Sequence, residues 1–504
     1  MTDRDQAREG TTGAVGDGSI AGIPYRWVAM GVVLFGTFMV VLDTTVVNLG
    51  LPALQEDFGT VEGIEWVVTA YLASVGVAQM LSGWSADRFG RKAMFMFSLA
   101  LFTVASVLCA LAPGLGVLIV ARVLQGIGGG LMMPVAMAMI YELFEPHERG
   151  KALGYFGIAV MAAPAIGPVL GGSLVSSLSW RWLFLINVPI GVVGFPVAAR
   201  LLRDTGFREA RPLDRVGLGL SGVGLASFLV GVSKGATWGW SSPAVVGLVG
   251  LGVVLLALFA RHAVTSTHPL VEMRILANPV FAVGMVTIAL LTVAQYSRLV
   301  YIPLELGTVR GVSELRIGLV MLPSALGIAL TMPIGGRMAD RIGARIPVSV
   351  GALVLGGSFV ALVGVTRSTS LPVIAFILFV GGLGSGLAMM APNIVAMNAV
   401  SATKVSQASA ISQTARQVAA AIGVGIIASV FASARPDGPA GSADLGPYRL
   451  VFLVAAGILV VVTIVAQWVP GRARALQLQA DRKAEIEALG LDPEADEPPV
   501  MAET

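Results

Sequence analysis

The sequence predicts an all-α integral membrane protein: fourteen transmembrane helices, forming two pseudo-symmetric six-helix bundles with two inserted central spans. Three observations carry this. Hydrophobic residues make up 56% of the 504-residue chain and charged residues only 12%, for a mean hydropathy of +0.83. The apolar residues are gathered into runs long enough to cross a bilayer. A ten-residue motif also recurs in the two halves at an offset of 253.

The charged fraction is about half that of an ordinary soluble domain, and a soluble core of this size could not hide so much apolar surface. A bilayer can face it directly. The 62 glycines would weaken helices in water, but between membrane helices they let backbones approach closely. Cys109 stands alone in an apolar run, so it forms no internal disulfide, and nothing points to a metal or redox role. His147, His262 and His268 fall at or beyond span ends. The first 20 residues are polar, Gly/Thr-rich and mixed in charge, unlike a cleaved signal peptide.

A helix needs roughly 20 apolar residues to cross the hydrocarbon core. Fourteen segments meet this, near 27–49, 64–84, 93–111, 115–139, 152–176, 183–202, 214–233, 243–262, 278–302, 315–336, 347–366, 371–397, 407–432 and 449–469. An even number puts both termini on one side. Of the 33 Lys and Arg residues, seven fall on the opposite side (Arg181, Lys234, Arg310, Arg316, Arg367, Arg435 and Arg449). Three, Arg122, Arg298 and Arg416, fall within spans, and the other 23 share the side of the termini. Positive charge marks the cytoplasmic side, so both termini are expected there. The expected layout is a cytoplasmic tail over 1–25, a six-helix bundle over 26–203, a two-span insertion over 204–270, a second six-helix bundle over 271–470 and a cytoplasmic tail over 471–504. Residues 472–489 suit a short helix, the stretch after Asp492 suits a disordered acidic end, and 433–447 reads as a flexible external connection.

The repeated motif is Gly83–Lys92 after span two and Gly336–Arg345 after span ten, sharing glycine, Ala-Asp-Arg and glycine. Duplicated halves with a midplane site between them are a transporter pattern. The glycines of the first copy permit a tight turn. Asp87 can accept from helix N-terminal amides or an arginine, while Arg88, Arg91 and Lys92 hold the cytoplasmic face. The plain reading is a positive-inside turn; two copies at matched positions favour a latch between helices.

Arg122 lies in Leu118–Gly130, inside a span. A buried arginine there costs roughly 2.5–3.5 kcal/mol and needs a partner or a watery cavity. A structural salt bridge and a coupling role are both open. The glycines at 126–130 lack the Gly-Lys-Ser/Thr ending of a nucleotide loop and lie within a span. Asp43 is the one carboxylate well inside a span; Glu65, Glu142 and Glu305 sit near span ends. An isolated carboxylate in low dielectric is pushed towards neutrality and can load and release a proton. The alternative is a carboxylate fixed in a salt bridge. Asn48, Thr44 and Thr45 serve as packing groups or as cavity ligands. In Pro164–Gly172 of span five, Pro164 and Pro168 bend the helix, and Gly167, Gly171 and Gly172 let a partner close in.

Together these residues resemble the major facilitator superfamily, and within it the fourteen-span drug:proton antiporters of the QacA and EmrB type. The resemblance rests on Leu42–Asn48, Gly83–Lys92, Arg122–Gly130, Pro164–Gly172, Trp180–Gly191 and Arg416–Gly423, and it runs from about residue 27 to 470. It implies a major facilitator fold. It implies that Gly83, Asp87, Arg88, Gly90 and Arg91 latch the two bundles in the outward-open state, and that Arg122 takes part in proton coupling. Asp43 is then a proton or cationic-substrate site, and Pro164, Gly167, Pro168, Gly171 and Gly172 form the antiporter motif associated with export. Asn48, Gln125, Tyr296 and Arg298 are the candidate substrate cavity.

Two positions depart from the family pattern. Ala344 replaces a basic residue in the second copy of the motif, which weakens that latch. Arg298 stands in span nine where a neutral polar residue is usual, and the repeat offset maps Asp43 onto Tyr296 beside it. Arg298 then faces the same cavity from the other bundle, pairing with Asp43 or binding an anionic part of the substrate; the plain alternative is a side chain snorkelling to the outer interface.

The expected function is proton-coupled efflux of lipophilic small molecules or drugs across the plasma membrane by alternating access. The alternative is export of a dedicated native metabolite or lipid, with drugs as incidental cargo. The expected partners are a lipophilic small molecule, protons and membrane lipid, with no nucleic acid and no cofactor. Met132, Met133, Met389 and Met390 suit an adaptable cavity wall or ordinary packing. An enzyme would need clustered nucleophiles, acids or metal ligands, which the sequence does not group. A channel would need rings of like charge rather than single charges in paired halves.

Overall fold

A computed structural model describes residues 19–20, 23–59, 63–144, 148–203, 212–401, 404–434 and 445–488. The expected disordered C-terminal end, most of the N-terminal tail and most of the 433–447 connection lie outside these residues.

Seventeen α-helices occur among the described residues, after a two-residue pairing of Ser19–Ile20 with Ile23–Pro24. They are α1 (Tyr25–Leu49), α2 (Leu51–Phe58), α3 (Trp66–Phe89), α4 (Arg91–Ala110), α5 (Leu115–Leu143) and α6 (Arg149–Ser177). Next come α7 (Trp182–Leu185), α8 (Asn187–Leu201), α9 (Arg215–Trp238), α10 (Pro243–Thr265), α11 (Pro279–Thr308) and α12 (Glu314–Ile342). The last are α13 (Arg345–Val363), α14 (Leu371–Asn398), α15 (Val405–Ser433), α16 (Gly446–Val465) and α17 (Arg472–Ala488). Among the described residues thirteen spans are long and apolar enough to cross a membrane, with α7 and α8 acting as one. The fold is therefore all-helical and multi-pass.

Side chains start several of these helices. Asp214 caps α9 by accepting from the Gly217 N–H at 2.7 Å, and Asn278 caps α11 by accepting from Val280 N–H at 3.0 Å. Prolines inside α5, α8, α11, α12 and α14 remove backbone donors mid-helix. Large apolar side chains such as Val120, Val192 and Phe376 are more than half exposed. That surface suits lipid rather than water.

In the first half, α5 packs on α3 and α4, α6 on α1, and α8 on α4 and α1. The second half repeats this order: α14 packs on α12 and α13, α15 on α11, and α16 on α13 and α11. The halves meet where α6 lies against α12 and where α3 and α5 lie against α15. The helices α9 and α10 pack on each other, and α9 also touches α3 and α15, beside one of these seams. The helix α17 leans on α12 and α14.

Two details differ from the sequence reading. The segment Gly83–Phe89 is not a turn: α3 continues through it, with Gly83, Ser85, Ala86 and Asp87 buried. The turn is Gly90 alone, at φ 89°, and its counterpart Gly343 at φ 82°. Both take a left-handed conformation that glycine reaches without a Cβ clash. Both also cap the preceding helix, to Ala86 O and Ala339 O. Lys234 does not lie in an outer loop either. It falls on α9, which runs to Trp238, and it is 1% exposed because Glu65 accepts from its Nζ at 2.5 Å. Trp66 and Trp238 flank the ammonium with ring centroids 4.8 and 5.5 Å away. The hydrogen bond from Lys234 holds the Glu65 carboxyl below its ordinary range.

Candidate functional site

Asp43, on α1, is fully buried and accepts three side-chain hydrogen bonds. Its Oδ2 takes Arg122 Nη1 from α5 at 2.7 Å. Its Oδ1 takes Gln125 Nε2 at 2.9 Å and Asn187 Nδ2 at 2.8 Å. Arg122 spends its other donors nearby: Nε on Val67 O at 3.0 Å, and Nη1 also on Gln125 Oε1 at 2.6 Å. Its guanidinium carbon lies 3.9 Å from the centre of the Tyr71 ring, close enough for a cation–π contact. Ser106 Oγ on α4 accepts from Gln125 Nε2 at 2.8 Å and from Asn187 Nδ2 at 3.4 Å. Five helices thus converge on one carboxylate. In low dielectric such a network is strong while every member is satisfied and costly once one is not.

The sequence reading singled out Asp43 and Arg122 separately. The structure brings them together, so Asp43 is not the isolated carboxylate that the sequence suggested: Arg122 supplies the compensating charge. Gln125, read as a cavity residue, is the third member of this network. Sequence reasoning missed Ser106, Tyr71 and Asn187. The signal for Asn187 was an amide inside an apolar run; the break between α7 and α8 at Ile186 turns it inward.

Arg298 does not pair with Asp43, whose acceptor positions are taken by Arg122, Gln125 and Asn187. It is buried on α11, and its Nη2 donates to Gln295 Oε1 at 2.9 Å. It does not snorkel to an interface either, being 4% exposed. Tyr296 is half-buried beside it. The Asn48 side chain lies outside the described residues.

The latch residues gather at the seam between halves. Arg91, at the start of α4, ion-pairs with Glu142 of α5 and donates from Nε and Nη2 to Ser406 Oγ of α15, at 3.2 and 3.0 Å. A Cβ on Gly83 would stand 3.2 Å from Gln407 Cα, so α3 and α15 touch backbone to backbone there. Asp87 is buried; Arg88 is exposed, 5.9 Å from the centres of the Trp84 and Phe89 rings. In the second copy, Ala344 is fully buried and Arg345 Nε turns to Val469 O at 3.3 Å, within its own half. Arg149 adds a tie that the sequence did not reveal: Nη2 holds Tyr141 O at 2.8 Å and Nη1 holds Asn398 Oδ1 of α14 at 2.5 Å.

Pro164–Gly172 lies on α6. A Cβ on Gly167 would stand 2.6 Å from Thr45 Cγ2, so α6 presses on α1 two residues from Asp43. Gly171 is buried; the side-chain surroundings of Pro164, Pro168 and Gly172 lie outside the described residues.

Paired helical halves, a buried ion pair inside one half and polar ties across the seam define a multi-pass membrane transporter rather than an enzyme. The chain belongs to the Major Facilitator Superfamily, which it matches over residues 33–424 and 285–493. It is 32% identical over 401 residues to the uncharacterized MFS-type transporter YhcA of Bacillus subtilis, covering 79% of this chain and 75% of that one. It is 33% identical over 402 residues to a multidrug resistance protein B homolog of Mycobacterium tuberculosis, covering 79% and 74%. It is 30% identical over 401 residues to the multidrug transporter protein MdtP of Bacillus subtilis, again covering 79% and 74%. The fold is similar to that of the human organic anion transporter MFSD10 (TETRAN), at TM-score 0.60 and 18% identity over 88% of this chain and 100% of that one.

Proposed function

We propose that the chain is a proton-coupled exporter of lipophilic small molecules, drugs among them, working by alternating access in the plasma membrane. The relatives named for multidrug resistance and multidrug transport support the cargo class. We further assign it to the fourteen-span drug:proton antiporters, with the 29-residue helix α6 as the remaining span. The bundles are then 26–203 and 271–470, with 204–270 inserted between them. The distribution of Lys and Arg supports cytoplasmic termini, which puts the Arg91–Ser406 and Arg149–Asn398 ties on the cytoplasmic side.

The observation that carries the proton coupling is the Asp43–Arg122 pair at 2.7 Å. A proton on Asp43 removes the charge that holds Arg122, and the buried guanidinium must then find another acceptor or water. That rearrangement biases the tilt of α1 against α3, α4 and α5, and hence which side the cavity faces. The cytoplasmic ties hold one of the two states. Gly167 passes movement of α1 to α6 and so to the seam with α12.

Efflux in vesicles with and without an imposed pH gradient tests this, for the parent and for Asp43→Asn. Gradient-driven export by the parent and its loss in Asp43→Asn is the expected result. Equal gradient-driven transport by both rejects Asp43 as the coupling site.

A further inference from the structure

Arg298 is a buried cation, and the described groups that touch its guanidinium are neutral. Its Nη2 donates to Gln295 Oε1 at 2.9 Å, while its Nη1 is buried and has no acceptor. Nη1 lies against Gly381 of α14: a Cβ there would be 3.4 Å from Nη1 and 2.5 Å from Ser358 Oγ of α13. Ser385 Oγ, also from α14, lies 3.3 Å from the same Gln295 oxygen and 3.0 Å from Gly381 O, and its one hydrogen serves one of them at a time. Among the described residues no carboxylate pairs with Arg298, whereas Asp43 has Arg122, Lys234 has Glu65 and Glu305 has Arg310. A buried guanidinium without a counter-ion is costly to keep.

We propose that Arg298 is a recognition site for an oxyanion, and that it selects lipophilic substrates carrying a carboxylate. A guanidinium presents parallel N–H donors that match the two oxygens of a carboxylate. Here one prong is buried without an acceptor and the other is held by a neutral amide oxygen. Gln295 is half-buried, as is Tyr296, so the amide is the accessible side of the site. An arriving carboxylate displaces the Gln295 oxygen, takes both prongs and leaves Gln295 to Ser385. The repeat offset puts Tyr296 opposite Asp43, so Arg298 stands near the counterpart of the acid site with the opposite sign. The Asp43–Arg122 pair is neutral as a unit, whereas Arg298 adds a positive charge inside the second half that disfavours cationic cargo beside it. This deepens the exporter reading and rests on it for the word substrate.

The test is equilibrium binding to the full-length protein in detergent at pH 7, with no gradient, using three probes that share a pyrene group and a butyl tail. One ends in a carboxylate, one in a carboxamide and one in a primary amine. The expected result is at least tenfold tighter binding of the carboxylate than of the carboxamide, with the amine weakest. Arg298→Gln brings the carboxylate and carboxamide to parity without weakening the carboxamide, and Arg298→Lys keeps part of the preference. Gln295→Ala, which frees the second prong and retains the arginine, raises the preference and covers the case in which Arg298→Gln does not fold. No preference in the parent, no binding of the carboxylate, or an unchanged ratio in Arg298→Gln or Gln295→Ala overturns the proposal. Because no gradient is used, failure of proton-driven efflux would sink the exporter reading and leave this result standing.

Discussion

Asp43 Oδ2 lies 2.7 Å from Arg122 Nη1, and neither side chain is more than 1% exposed. Seventy-nine positions separate the two residues, so each exists for the other only in the folded chain. Removing one partner leaves an uncompensated buried charge, which costs about 3–5 kcal/mol, while replacing both by neutral groups is often close to neutral. Asp43→Asn is therefore expected to lower unfolding stability by about that amount. Adding Arg122→Gln to the same chain returns most of it. Unfolding of the single and double variants in denaturant measures this. Additive losses would show that the two charges do not depend on each other.

The seam makes a separate prediction. Arg91→Ala removes the ion pair with Glu142 and the bonds to Ser406, and so releases α4 and α5 from α15. Efflux is expected to fall at least tenfold. Spin labels on the α4 and α15 ends should report a longer and broader distance than in the parent. An unchanged distance distribution would remove Arg91 from the latch. Gly83→Leu should act the same way by wedging a side chain where α3 meets the Gln407 backbone.

How much of this was legible follows from what each signal depends on. Span positions depend on hydropathy alone, and each helix from α1 to α16 longer than eight residues falls on an apolar run. Asp43 and Arg122 were visible as charges in apolar runs, but their pairing was not, because the distance between α1 and α5 is set by packing. Asn187 carries no charge and follows a short helix, so nothing in a long apolar run marked its amide as a partner of Asp43. Gly83 misled in another way: glycine signals a turn, yet here its missing side chain serves helix contact, and Gly90 makes the turn. Lys234 read as a loop cation because the sequence shows neither Glu65 nor the tryptophans that cover it.

Asp214 offers a pH test away from the bilayer. Burial pulls its carboxyl upward, but the Gly217 N–H, His262 and the Leu270 N–H outweigh this and hold it below its ordinary value. A lowered folded-state value means that the stabilisation is complete above the unfolded value, about 3.9. It is lost as pH falls through the lower folded one. These bonds join the start of α9, the last turn of α10 and the segment leading to α11. Asp214→Ala should therefore cost on the order of 1–2 kcal/mol at pH 7. The gap between parent and variant should narrow as pH falls through that lower folded-state value. Thermal unfolding of both at pH 7 and along an acid series measures it; a gap that stays constant into acid would mean that the carboxylate charge is not the cause.

Gly167 links the antiporter motif to the acid site by contact. A Cβ there would come within 2.6 Å of Thr45 Cγ2 and 2.9 Å of Thr45 Cβ. Thr45 cannot easily swing aside, because it is β-branched and its Oγ1 donates to Val41 O at 3.0 Å. Gly167→Ala must therefore push α6 from α1, two residues from Asp43, or strain the α1 backbone. Efflux is expected to drop at least tenfold, with a loss of stability of about 1–3 kcal/mol, as for overpacking elsewhere. Thr45→Ala removes the nearer atom and should restore part of both in the Gly167→Ala chain. A steric origin requires that rescue, since a merely softer α6 would be made no better by trimming α1. Efflux and thermal unfolding of the two single variants and the double variant separate these cases.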